Sequence, residues 1–227
     1  MGANAVTTVP VYVAGEVLTA ADMNITNSGI PVFATTVTRD AAFGGSGEKT
    51  LAEGQFAYIE ASDTTQYYNG TSWLALGGKL GQVLSTSKTD TFSTSATSYT
   101  DVTGMSVTIT PSATSSKVLI LVNFMAANSG NFASMYQLVR GSTAISIGDA
   151  AGSRTRASTG LLTLSENETS PQNIQFLDSP ATTSATTYKL QMFINGGSGY
   201  IGRSGPDNDA STRPRTASNI TVMEILA

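Results

Sequence analysis

Val118-Leu119-Ile120-Leu121-Val122 is the longest apolar run of the chain, and its pattern is the main indication of the fold class. A run of five residues has the length of a β-strand and is far shorter than the roughly 20 residues of a membrane-spanning helix. It also lacks the alternation of apolar and polar residues that is typical of a half-exposed strand. The run therefore predicts a strand with both faces buried, one inside a β-sandwich and the other against a neighbouring subunit.

Short apolar segments separated by Gly, Asn, Asp and Ser-Pro turns surround this run from Lys79 to Ala227. The pattern predicts strands at Gln82–Ser87, Tyr99–Val102, Met105–Ile109, Lys117–Ala126, Ala133–Arg140, Thr143–Ile147, Leu161–Leu164, Asn173–Leu177, Thr187–Ile194, Tyr200–Arg203 and Asn219–Ile225. The Ser/Thr-rich segment Thr89–Thr97 is left unassigned. So many short strands indicate an all-β domain, a two-sheet β-sandwich of jelly-roll type spanning residues 79–227.

A second, smaller β unit is predicted for residues 33–78. Strands near Gln55–Glu60, Thr64–Tyr68 and Thr71–Leu76 are separated by turns, and Asn69-Gly70 is a strong signal for a tight hairpin. Trp73, the only tryptophan of the chain, is expected to cap this small core against Phe56, Tyr58 and Tyr67.

The N-terminal segment, residues 1–32, has a different texture. Val6 to Val13 is an extended, β-like run, and Thr19-Ala20-Ala21-Asp22 has the spacing of a helix capping box. The sequence therefore predicts an extended start followed by a helix of about two turns. The first residues lack a basic stretch followed by an apolar one, so we expect no signal peptide and no membrane insertion.

The composition excludes several classes of chemistry. The chain contains no His and no Cys, and only 12% of its 227 residues are charged. Disulfides, thiolate catalysis and Cys-ligated metals are therefore excluded, and no cofactor is expected. The net charge of −4 argues against nucleic-acid binding. These properties favour a structural or binding protein that is not an enzyme.

Arginine and tyrosine side chains in the C-terminal domain are the candidate contact residues. Paired or solvated surface arginines are the preferred interpretation for most of these arginines. Arg154 and Arg156 rank first as candidates for a subunit interface, because they flank a Gly-rich loop beside Asp149. Tyr200 follows a Gly-rich loop and Arg203 lies close to it, a combination that could bind a host-surface glycan. An ordinary strand tyrosine is an equally good interpretation of Tyr200.

Acidic residues offer two further candidates. Glu166 and Glu168 could act as the carboxylate pair of a polysaccharide-cleaving enzyme, but Leu-Ser-Glu-Asn-Glu-Thr-Ser-Pro is typical of an exposed loop. Asp207-Asn208-Asp209 supplies oxygen ligands for Ca²⁺ without the spacing of an EF-hand, so a solvated turn is the preferred interpretation and no metal site is predicted.

Several stretches resemble structural proteins of tailed phages. The run from Ala14 to Asn24 reads AGEVLTAADMN and resembles the opening segment of phage tail-fibre and minor structural proteins. The stretch from Thr38 to Trp73 is similar to the small β unit that follows it there. The C-terminal domain resembles that of virion proteins, notably of cyanophages, in the stretches 87–93, 138–143, 148–154, 176–180 and 222–225.

This resemblance implies a virion protein made in the host cytoplasm, with a TNF-like jelly roll that forms a homotrimer. Together with the predicted helix it assigns virion anchoring to Val17, Leu18, Asp22 and Met23, which would be held by another virion protein. The expected function is a tail fibre or short appendage whose distal domain attaches to host surface polysaccharide. The alternatives are a capsid decoration or baseplate protein and, in another class, a polysaccharide-cleaving enzyme.

Overall fold

A computed structural model describes residues 15, 17, 29–44 and 49–226 of the chain. The chain divides into two compact units, Met1–Gly78 and Lys79–Ala227. The described residues form one short α-helix, one 3₁₀ turn at Glu60–Ser62 and fifteen strands. The predicted extended run Val6–Val13 and the predicted capping box at Thr19–Asp22 lie outside the described residues.

The first unit contains a four-stranded sheet and helix α1 (Thr36–Asp40). Its strands are β1 (Val32–Phe33), β2 (Phe56–Ile59), β3 (Thr64–Tyr68) and β4 (Trp73–Ala75), in that spatial order. Strand β1 spans the predicted boundary at residues 32/33 and pairs in parallel with β2. Thr35 caps α1, since its side chain accepts from the Thr38 backbone while the Thr38 hydroxyl accepts from the Thr35 backbone.

The side chains that surround Trp73 in the core of this unit differ from the predicted ones. The buried side chains are Phe33, Ala42, Ala57 and Ile59, and Trp73 packs against them with Phe43. Trp73 lies opposite Tyr68 in the sheet register. Since side chains alternate between the two faces of a strand, Tyr67 faces the other way and pairs with Phe56 instead. Tyr58 lies on the same face as Phe56, so the expected contact of Trp73 with Phe56, Tyr58 and Tyr67 is wrong.

The second unit is an all-β sandwich of jelly-roll type, as predicted. Its strands are β5 (Leu80–Lys88), β6 (Phe92–Thr94), β7 (Thr100–Ile109), β8 (Lys117–Asn128), β9 (Ala133–Arg140), β10 (Thr143–Ile145), β11 (Thr159–Leu162), β12 (Ser170–Asp178), β13 (Thr186–Ile194), β14 (Gly199–Ile201) and β15 (Ser218–Ile225). One sheet has the order β10-β9-β13-β7, with β11 also on β9. The other has the order β5-β15-β8-β14-β6, with β12 also on β8.

Strand β8 lies at the centre of the six-stranded sheet because three strands pair with it. Its side chains Val118, Ile120 and Val122 are almost completely buried between the sheets. Leu119 and Leu121 point to the opposite face and are half-buried. The predicted burial in the sandwich is therefore confirmed, whereas burial of the second face against another subunit stays a prediction.

Candidate functional site

The outward face of the six-stranded sheet carries an unbroken row of apolar side chains. Val83 on β5 lies opposite Met223 on β15, Met223 lies opposite Leu119 on β8, and Leu119 lies opposite Leu177 on β12. Val83 is 49% exposed and Leu177 48% exposed. We call these four residues the outward apolar row. Its exposure on a sheet that buries its other face makes it a candidate interaction surface.

On one side of the outward apolar row this face is mostly polar and uncharged, whereas on the other side the exposed Lys117 lies next to Leu119 on β8. Next to the outward apolar row lie Ser85, Thr221, Leu121 and Gln175, followed by Ser87, Asn219, Asn123 and Asn173. The hydroxyl oxygens of Ser85 and Thr221 are 2.8 Å apart, and the Asn123 amide donates a 3.2 Å hydrogen bond to Oδ1 of Asn219. These three rows contain no ionisable side chain, so an identical surface could approach them without repulsion between like charges.

Tyr200 and Arg203 are in contact, but the hydrogen bonds of Arg203 stabilise the loop that carries it. The guanidinium carbon of Arg203 lies 4.0 Å from the centre of the Tyr200 ring, in cation–π geometry. Nη1 of Arg203 donates to the backbone carbonyls of Gly205, at 2.7 Å, and Ser204, at 3.2 Å. Its side chain is 15% exposed and approaches Asp207. Nη1 of Arg203 therefore helps to hold the segment after β14 in place.

Arg154 and Arg156 lie in an exposed segment between β10 and β11. Nε of Arg156 donates a 2.6 Å hydrogen bond to the Gly148 carbonyl, which closes this loop on itself. The Tyr99 hydroxyl donates to the Arg156 carbonyl at 2.7 Å. Within the described part of the chain, neither guanidinium pairs with Asp149. Likewise, no described contact joins these arginines to Tyr200 or Arg203.

The acidic candidates are solvent-exposed. Glu166 and Glu168 both lie on the surface, and Oε2 of Glu168 accepts a 3.2 Å hydrogen bond from the Leu164 backbone. Asp207 pairs with Arg215 at 2.6 Å. No cluster of three or more potential acidic metal ligands occurs among residues 29–44 and 49–226. In the described parts of the chain no helix is long and apolar enough to cross a membrane.

A buried polar cluster between the sheets is the feature that the sequence analysis missed. Arg140 on β9 donates to both carboxylate oxygens of Asp178 on β12, at 2.9 Å each. The Tyr188 hydroxyl on β13 donates to the same carboxylate at 2.6 Å. Burial and the hydrogen bond to Asp178 raise the pKa of Tyr188 far above its usual range, so the hydroxyl remains a donor.

Glu224 is a second buried carboxylate, and no pattern in the surrounding sequence predicts its role. It lies on the inward face of β15, where Oε1 accepts 2.6 Å hydrogen bonds from the backbone and the hydroxyl of Ser112. Burial acts to raise the pKa of Glu224, but the hydrogen bonds from Ser112 oppose it and the net effect lowers that pKa. The carboxylate therefore fastens the segment after β7 to the C-terminal strand.

The predicted anchor residues lie mostly beyond the described structure. Val17 is 87% exposed. Leu18, Asp22 and Met23 lie outside the described residues, so their assignment to virion anchoring stays a prediction.

Comparison with known proteins gives only distant similarities. No protein-family model matches the sequence, and no curated protein matches it. A solved structure of infectious bursal disease virus, Gt strain, is similar at 13% identity with a TM-score of 0.36, covering 79% of this chain and 53% of that chain. A structure of the Gx strain is similar at 12% identity with a TM-score of 0.30, covering 70% and 45%. The chain thus spans about half the length of the chains that it matches.

Proposed function

We propose that the chain is a non-enzymatic structural protein of a phage virion, a trimeric tail fibre or short appendage. In this proposal another virion protein holds the N-terminal segment, and the jelly roll is distal and contacts the host surface. The outward apolar row carries the proposal, because Val83 and Leu177 are exposed and Leu119 and Met223 are only half-buried on an otherwise well-packed sandwich. A structural protein that functions as an assembly would cover such a row with copies of itself.

The chemistry of the outward face supports an identical copy as the partner. The three rows contain apolar, hydroxyl and amide side chains, so these rows bring no like charges together when copies meet there. The exposed Lys117 lies next to them on the same face. A closed cyclic arrangement covers the row on every subunit and leaves no unpaired copy. We place the threefold axis next to this face, which repeats every other surface of the domain three times around the assembly.

Threefold repetition suits attachment to a host surface. A weak contact with a polysaccharide gains avidity when three copies bind the same cell. Arg154 supports this role because it lies in an exposed loop and its guanidinium forms no ion pair with a described residue. Arg203 and Tyr200 contribute less, since Arg203 is mostly engaged with backbone carbonyls.

The anchoring part of the proposal rests on the N-terminal segment. The AGEVLTAADMN run resembles the opening of tail-fibre proteins, and Val17 within it is exposed. Deletion of residues 1–32 is expected to prevent incorporation into particles while the C-terminal unit still folds. Incorporation of the truncated protein at the wild-type level would contradict the anchor.

Electron microscopy of intact particles with a gold-labelled antibody against residues 79–227 tests the location. Gold at the tail or its fibres is the result we expect. Gold spread over the head would contradict the fibre and identify a capsid decoration protein, and gold at the baseplate alone would contradict the distal position. Release of reducing ends from host envelope polysaccharide, lost on Glu166→Gln or Glu168→Gln, would contradict the non-enzymatic role.

A further inference from the structure

An open groove of about 760 Å³ lies in the first unit, between helix α1 and one face of the small sheet. Its position follows from strand alternation, because Gln66, Tyr68 and Trp73 share the sheet face that packs toward α1. The residues that give the groove its chemistry are Asp40, Gln66, Tyr68, Thr71, Ser72 and Trp73. One wall is thus aromatic, and the remainder offers carboxylate, amide and hydroxyl groups.

The aromatic wall is held rigidly. The Trp73 ring centre lies 5.6 Å from that of Tyr68 and 5.8 Å from that of Phe43, both in tilted contact. The Arg39 guanidinium carbon lies 4.7 Å from the centre of the Trp73 ring. Trp73 nevertheless remains partly exposed. Aromatic side chains with an apolar surface next to a few fixed polar groups are typical of small-molecule sites.

Arg39, the cation that lines the groove, is already paired with the carboxylate of Asp40. Nε and Nη2 of Arg39 donate to Oδ1 of Asp40 at 2.8 and 2.6 Å, and Nη1 donates to Oε1 of Gln66. Arg39 is only 6% exposed. An anionic ligand would therefore find no available guanidinium and would meet the Asp40 carboxylate, which disfavours phosphate and acidic sugars.

The exposed acceptors favour a ligand rich in hydroxyl groups. The Asp40 side chain is 59% exposed, and both hydrogen bonds from Arg39 fall on Oδ1, so Oδ2 can accept from a ligand. Thr71 and Ser72 add hydroxyls that can donate or accept. A sugar ring presents an apolar C–H surface on one side and hydroxyl donors at its edge, which fits an aromatic wall beside a carboxylate.

We propose that this groove binds a neutral oligosaccharide, with the sugar against Trp73 and a sugar hydroxyl donating to Asp40. The site lies wholly within the first unit and involves none of the residues of the outward face. The inference is therefore independent of the proposed trimer and of host attachment by the second unit.

Fluorescence of the full chain tests the site, because Trp73 is the only tryptophan and its emission reports on this groove alone. The probes are maltotriose, cellotriose, mannotriose and galactotriose, each titrated to millimolar concentration, with oligogalacturonate as the anionic comparison. We expect a saturable change in emission with at least one neutral trisaccharide and none with oligogalacturonate. Saturation-transfer NMR should show the sugar C–H protons in contact with the protein.

Two matched variants in the same unit map the contact. Asp40→Asn is expected to weaken binding of the active trisaccharide at least tenfold. Asp63→Asn changes an exposed carboxylate that accepts from the Tyr58 hydroxyl outside the groove, and it should bind as the wild type does. Circular dichroism checks that both variants are folded. No saturable response to any neutral probe, a response to the anionic probe alone, or equal binding by folded Asp40→Asn would overturn the proposal.

Discussion

The Tyr188 hydroxyl donates a 2.6 Å hydrogen bond to Asp178, and this bond joins the two sheets of the sandwich. Arg140 reaches the same carboxylate from the five-stranded sheet, so one buried anion on β12 is shared by two donors across the interior. Removing the charge of Asp178 leaves Tyr188 and Arg140 without an anionic hydrogen-bond acceptor. Polar groups in a buried cluster of this kind are costly to leave unsatisfied.

The buried Asp178 cluster is expected to contribute to the free energy of unfolding. Asp178→Asn is expected to lower the free energy of unfolding by about 2–4 kcal/mol, since it removes a buried ionic partner. Tyr188→Phe should cost only about 1 kcal/mol, because Asp178 keeps its bonds from Arg140. Urea titration followed by circular dichroism measures both. The exposed Asp149 gives the control, and an Asp149→Asn effect as large as that of Asp178→Asn would contradict the assignment.

Much of the jelly roll could be predicted because strand alternation and turn residues are local signals. Ala133–Arg140 and Thr64–Tyr68 are found with the predicted bounds. The segments Tyr99–Val102 and Met105–Ile109 instead form one strand, Thr100–Ile109, in which Gly104 adopts a φ of +82°. The glycine marks a bulge and not the end of a strand, because the register with β13 shifts between the pairs Lys189–Ser106 and Gln191–Asp101, and Gly104 lies in the stretch that this shift spans.

The shortest elements and the partners of side chains could not be predicted. Helix α1 has five residues, and strands β1 and β6 have two and three, which is too few for a periodic pattern. The role of Arg203 depends on carbonyls of Ser204 and Gly205 that only the folded loop presents. The Asp178 cluster joins residues 38 and 10 positions apart, and nothing in the local sequence relates them.

The stability of the fold is expected to decrease at acidic pH. The pKa of Glu224 is lowered in the folded chain, so its carboxylate stabilises the fold at pH values above 4.5, the pKa of an unperturbed glutamate. This contribution is lost as the pH falls through the lowered folded pKa, because protonation removes the acceptor for Ser112. The pKa of Asp101 is also lowered, by hydrogen bonds from Lys189 and Gln191. We therefore expect stability to decline below pH 4.5.

The variant Glu224→Gln tests the contribution of that carboxylate. It should reduce stability at neutral pH and make the acid limb of a stability-versus-pH curve shallower. Thermal unfolding at a series of pH values, compared with Asp149→Asn, gives the measurement. An acid limb unchanged in Glu224→Gln would contradict the role of this carboxylate.

Gly205 lies close to the backbone of Glu166, which predicts that a side chain at this position is destabilising. A Cβ at Gly205 would lie 2.7 Å from the Glu166 carbonyl oxygen, which also accepts the Gly205 backbone N–H at 2.9 Å. Since backbone atoms must move to make room, Gly205→Ala should cost about 1–3 kcal/mol. A Cβ at Gly148 meets nothing within 4 Å, so Gly148→Ala is the matched control. Equal melting temperatures for the two variants would contradict the contact.

We claim that copies of the chain assemble through the outward apolar row, and sedimentation velocity on the full chain measures this assembly. Wild-type protein should sediment with three times the chain mass of 23.5 kDa. Val83→Asp, in the row, should yield the single-chain mass because it buries a charge at the interface. Val37→Asp, at a 75% exposed position of α1, should remain trimeric. A wild-type monomer, or a Val83→Asp trimer as stable as Val37→Asp, would contradict the claim.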